Sequence, residues 1–132
     1  MERVTGIGGM FFKARDPDAL AHWYAEHLWV DRVPTSHDER AWWQEPGPTA
    51  FAPFPADTDS FGRPDQAWKL NFRVRDLDAM ITQLRQAGIE VTADPETYPI
   101  GRFATTTDPE GNPIELWEPT PAALQEPPAT PR

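Results

Sequence analysis

The chain has 132 residues, a formal charge of −9 and no cysteine. That length suits one domain around one core. The missing thiol excludes disulfides, zinc knuckles and thiol catalysis, and the acidic balance without a basic stripe excludes nucleic acid as a partner. "MERVTGIGGMFFKARD" at the amino terminus carries no signal-peptide apolar region. No stretch reaches the roughly 18–20 apolar residues of a membrane span, so the expectation is a cytoplasmic protein with no membrane partner.

In chain order, the first expected element is a strand at about 4–14. Asp16 follows as an N-cap, with Pro17 at the first helical position and Asp18 in the first turn. Leu20, Trp23, Tyr24, His27 and Leu28 then recur at helical spacing, which predicts an amphipathic helix. Short strands are expected at about 29–35, 40–44 and 49–54. A polar loop with proline and glycine, "PFPADTDSFGRPDQ", separates them from the second half.

The second half repeats the first. "FFKARDPDAL" (Phe11–Leu20) and "NFRVRDLDAM" (Asn71–Met80) share five of ten residues at an offset of 60. Asp76 caps a second helix with a Leu77, Met80, Ile81, Leu84 stripe, and Gly88 stops it. Strands are expected at about 90–92, 102–107 and 113–117, the last fed by the turn "DPEGN". The repeat predicts a pseudo-twofold α+β fold of two βαβββ modules. They form curved mixed sheets around a cavity, with the helices on the outer face. The single domain spans 1–119, with module 1 at about 4–54, a linker at 55–66 and module 2 at about 67–118. The proline-rich stretch 120–132 reads as a flexible tail.

Two such halves, the strand endings "ARDPDAL" and "VRDLDAM", and the closing "DPEGNPIELWEP" together resemble the vicinal oxygen chelate superfamily, the glyoxalase, bleomycin-resistance and extradiol-dioxygenase group. The resemblance covers about residues 3–119. It implies a cavity that holds either a divalent metal with its substrate or a bound drug. It also implies four metal-ligand positions, on the first and last strand of each half. Here those positions fall on Gly9, Ala52, Lys69 and Glu115. Glycine and alanine coordinate nothing, and a protonated lysine has no lone pair. Glu115 alone keeps a ligand-type side chain, whereas catalytic sites of zinc and similar metals commonly use three. No cofactor is therefore expected, and a divalent metal is disfavoured. His22 and His27 lie five apart on the first helix and His37 sits in a turn, so they read as surface or half-buried histidines.

Strand alternation then supplies a cavity inventory. Glu115 and Trp117 face inward together, and so do Lys69, Asn71 and Arg73. Leu70, Phe72, Val74, Ile114 and Leu116 pack outward on the helices. Phe11 faces in from the first strand, one of Trp42 and Trp43 faces in from its own, and Arg102 or Phe103 joins from the seventh. The expected ligand-binding set is Phe11, Trp42, Trp43, Lys69, Asn71, Arg102 and Trp117. Lys69 and Glu115 are expected to form an ion pair where a metal would otherwise sit. Trp29 occupies a position where many members of the superfamily carry glycine, so either the first helix ends differently there or the indole packs against a neighbour or a ligand.

Two kinds of function follow. The first is a metal-free binding protein that sequesters a small aromatic or cationic molecule, as the drug-resistance branch of the superfamily implies. The second is an isomerase, lyase or dioxygenase, using either a metal or Glu115 as a general base. A homodimer with two cavities is expected in either case.

Overall fold

Asp16 and Asp76 open the two helices in the same way. In the computed structural model, which describes residues 1–125 and 127, each carboxylate accepts the backbone N–H three residues on, from Ala19 at 3.1 Å and from Ala79 at 3.0 Å. These bonds satisfy donors that the first helical turn leaves without partners. Helix α1 spans Pro17–Leu28 and helix α2 spans Leu77–Gln86. Helix α2 ends as its sequence implies, with Gly88 at φ 81° and Ile89 N–H returning to the Leu84 carbonyl.

Helix α1 ends in the same geometry on a residue ill suited to it. Trp29 caps it at φ 58°, ψ 32°, while its side chain is 76% exposed. The helix thus keeps the left-handed cap that glycine would give, and the indole is largely exposed. A bulky residue in that region costs about 1–2 kcal/mol.

Four strands complete the framework: β1 (Leu70–Arg73), β2 (Thr92–Ala93), β3 (Gly101–Thr107) and β4 (Pro113–Pro119). They form one mixed sheet in the order β1-β4-β3-β2, with β1 parallel to β4 and the other pairings antiparallel. Both helices contribute to the core against one face of this sheet. Leu20 and Tyr24 from α1 join Leu77, Ile81 and Leu84 from α2 on a floor of Ala104, Ile114 and Leu116. Ile114 and Leu116 are fully buried, as the alternation requires.

The turn before β4 ties α1 to this core. Asp108 accepts four bonds: Glu110 N–H and Asn112 N–H on Oδ1, and the Asn112 side-chain amide and the Tyr24 hydroxyl on Oδ2. Glu110 reaches the other way and accepts from the backbone N–H groups of Arg15 and Asp16, at 2.7 and 3.1 Å.

The first half departs from expectation. The segments at about 4–14, 29–35, 40–44 and 49–54 form no ladder, so the described residues hold one sheet rather than two. The composition supplies a reason. Gly6, Gly8 and Gly9 weaken the first segment. Pro34 and Pro53 remove ladder donors within the second and fourth, and Pro46 and Pro48 interrupt the chain between the third and fourth. After β4, Thr120 donates to the Ile100 and Pro99 carbonyls and a turn follows. The rest of the expected flexible tail, residues 126 and 128–132, lies outside the described residues.

Candidate functional site

The face of the sheet away from the helices carries two rows of side chains. Register sets them. Asn71, Glu115, Thr105 and Thr92 are partners across the four strands, and Arg73, Trp117 and Phe103 are partners one pleat further on. The first row is polar and largely open. The second is aromatic, with Arg73 at its end.

Glu115 is the centre of the polar row. Its Oε1 accepts from the Asn71 side-chain amide at 2.8 Å, and its Oε2 lies 3.8 Å from the Lys69 ammonium. These two side chains retain only 18% (Lys69) and 26% (Glu115) of their exposure. The ammonium also lies 5.7 Å from the centre of the Phe61 ring, so it is held between a carboxylate and an aromatic face. Among the described residues, no three His, Asp or Glu side chains converge as a metal site would require. With one oxygen of Glu115 on an amide and the other against a cation, the donor set does not fit a divalent ion.

The aromatic row is rigid and largely covered: Trp117 keeps 9% of its exposure and Phe103 is half-buried. Trp117 and Phe103 lie almost parallel, 5° apart, with ring centres at 6.1 Å. The indole N–H donates to the Ile100 carbonyl at 2.9 Å, which fixes the ring's rotation. This close approach depends on Gly101, at φ 138°. A Cβ there would meet the Glu118 carbonyl oxygen at 2.1 Å and the indole nitrogen at 2.8 Å. Tyr98 stands edge-on to Phe103, and its hydroxyl donates to Asp94. That bond is the main reason its phenol is pushed up to about 12, so it stays neutral at ordinary pH.

The other expected ligand-binding residues are placed differently. Arg102 faces the opposite way from Trp117 and makes a two-pronged contact with Asp78 on α2. Phe103 takes the place on the open face that the sequence left to either residue. The Arg102 guanidinium holds the Asp78 carboxyl below the usual carboxylate range. Phe11 and Trp43 are 93% and 80% exposed. Trp42 approaches the edge of β1, with its ring 6.4 Å from that of Phe72. Sequence reasoning placed Arg73 on this face but did not foresee its partners, which come from residues 45–49. No local pattern signals a contact across that separation.

Away from this face, a shallow groove of about 320 Å³ runs between the start of α1 and the closing turn, lined by Arg15, His22, Trp23, Glu26 and Glu110 among others. None of the expected site residues lines it. Nearby, burial and the bond to Asp108 push the Tyr24 phenol well above the ordinary tyrosine range.

Residues 9–117 match the family described as glyoxalase-like domain. The fold is similar to that of TnmS3, an antibiotic-binding protein from Streptomyces sp. CB03234, at a TM-score of 0.60 and 23% identity over 91% of this chain and 100% of that one. It is also similar to a glyoxylase/bleomycin resistance protein/dioxygenase domain from Frankia sp. EAN1pec, at a TM-score of 0.55 and 19% identity over 89% of this chain and 100% of that one. No curated protein matches the chain.

Proposed function

The chain belongs to the glyoxalase-like family of the vicinal oxygen chelate superfamily, and we propose that it binds a small planar aromatic molecule on the open face of its sheet, without a metal and without converting it. The observation that carries this reading is the locked Trp117–Phe103 pair, set one pleat from the Lys69–Glu115–Asn71 group. In this reading the half-buried Phe103 ring and the small exposed part of Trp117 supply aromatic surface beside a few fixed polar groups, the usual composition of a small-molecule site. The antibiotic-binding activity of TnmS3 supports the same direction.

Glu115 serves this reading better than it serves catalysis. Its Oε1 holds the Asn71 amide and its Oε2 lies 3.8 Å from the Lys69 ammonium, so in this reading it is an acceptor that positions both.

The first half of the chain completes the site in a homodimer, in this reading. Val4, Phe11, Val33, Trp43 and Phe51 are all exposed on segments without a ladder. An exposed apolar surface of this kind marks an interaction site, and unladdered segments leave backbone groups free to pair. A second copy would cover both and bring Phe11, Trp42 and Trp43 over a binding face. The cytoplasm is the proposed location, and no helix among the described residues is long and apolar enough to cross a membrane.

A thermal-shift panel on protein stripped of metal by chelation tests the reading. Planar aromatic antibiotics should raise the melting temperature and be recovered unchanged. No shift without added metal, or recovery of a converted product, would overturn it.

A further inference from the structure

Arg73 stands at the end of the aromatic row, next to Trp117 across the β1–β4 ladder. Its guanidinium is half-buried, and its partners are all uncharged. One nitrogen donates to the Pro48 carbonyl at 2.5 Å and to the Thr49 hydroxyl at 3.2 Å, and another donates to the Glu45 carbonyl at 2.7 Å. The chain wraps closely around it: a Cβ on Gly47 would stand 2.8 Å from Nε. The neighbouring carboxylate of Glu45 is already taken by Arg75. Among the described residues Arg73 makes no ion pair.

The charges beside Arg73 on β1 and β4 are matched. Lys69 faces Glu115, whose second oxygen is on Asn71. At the far end of the same row, beyond Phe103, the Asp94 carboxylate accepts only from Tyr98 and the Glu96 N–H. The unpaired charge at the Trp117 end of the row is therefore the positive one of Arg73, although the whole chain has a formal charge of −9.

We propose that Arg73 is an anion subsite, and that the molecule bound by this face is a planar aromatic acid. The inference rests on the open face being the binding site. The ring system lies against Phe103 and the small part of Trp117 that stays exposed. Its carboxylate takes the two nitrogens of Arg73 that now hold the Glu45 and Pro48 carbonyls. An ionised acceptor makes stronger hydrogen bonds to a guanidinium than a carbonyl does, and a carboxylate matches the paired donors in shape. The segment Glu45–Thr49 is then released from Arg73 as the ligand enters, so the same residue fixes the ligand's sign and opens its access.

The test uses two probes of equal shape, naphthalene carboxylate and naphthalene carboxamide, titrated against the full chain and followed by tryptophan fluorescence. The carboxylate should bind roughly tenfold tighter or more, the effect of one charged hydrogen-bonding contact. Arg73→Gln should bring the two affinities together, and Arg73→Lys, which keeps the charge, should retain part of the preference. Arg73→Lys also covers the case in which Arg73→Gln fails to fold. Several results overturn the anion subsite and leave the binding face standing. These are equal affinities in the wild type, a preference for the carboxamide, or a preference for the carboxylate that survives Arg73→Gln. Binding of neither probe overturns both the subsite and the binding face.

Discussion

The Tyr24 hydroxyl donates to Asp108 Oδ2 at 2.7 Å, across 84 residues of sequence, and so fastens the first helix to the turn that launches the last strand. The same carboxylate accepts three more bonds from within the turn. The helix of the first half is therefore built into the core of the second. Tyr24→Phe should cost about 1–2 kcal/mol, the range for losing one partner of a buried hydrogen bond. Asp108→Ala should cost more, because the turn's own bonds go with it. Thermal melts of the two variants check the order, and equal costs would contradict the description of the turn.

Glu110 makes stability depend on pH. Its carboxyl is held below the ordinary value of 4.5, chiefly by the backbone N–H groups of Arg15 and Asp16. Between the folded and unfolded values the unfolded chain binds more protons, so stability rises with pH there. The contribution is complete above about 4.5 and is lost as pH falls through the lower folded value. Glu110→Gln should flatten the melting temperature in that acid window. An unchanged slope would show that the contact contributes nothing.

Trp29 offers a substitution expected to stabilise. Its cap conformation suits glycine, and its indole is largely exposed. Trp29→Gly should raise stability by about 0.5–1 kcal/mol, the relief of left-handed strain less the extra freedom of glycine in the unfolded chain. A lower melting temperature that grows more pronounced on concentration would instead place the indole in a contact between copies.

Gly101→Ala should be severe. The added carbon meets the backbone of Glu118 and the indole of Trp117, and the backbone angle of 138° disfavours any side chain. Either the β3–β4 edge separates or the indole leaves the Ile100 carbonyl. Loss of near-ultraviolet dichroism from the aromatic row reports the second event, and a wild-type spectrum with wild-type stability would contradict the geometry.

Much of the fold was legible because its signals are local. Both helices carry an aspartate cap and an apolar stripe, and both appear within a residue or two of where those marks place them. Strand β4 alternates up to Leu116, so its inward and outward sets could be assigned before any register was known, and Trp117, buried next to Leu116, breaks the pattern. The approach of Lys69 to Glu115 was expected from the metal-ligand positions that the superfamily resemblance implies, not from the alternation alone. Other features depend on distant partners. Phe103, rather than Arg102, faces the site because β3 pairs Phe103 with Trp117, and adjacent residues on a strand always face opposite ways. The hold of Arg73 on residues 45–49 is a contact between segments with no shared pattern. The strands expected in the first half had the right spacing, but their prolines and glycines withhold the donors and packing that a ladder within the chain needs.

The most direct test of the account is calorimetric titration of a planar aromatic ligand, identified from the thermal-shift panel, into metal-free protein, with Trp117→Ala and Phe103→Ala titrated alongside. The account predicts binding by the wild type without added metal, ligand recovered unchanged, and affinity weakened roughly tenfold or more in each variant, the scale of losing one aromatic contact face. Full affinity in both variants, or binding only after a divalent metal is restored, would contradict it.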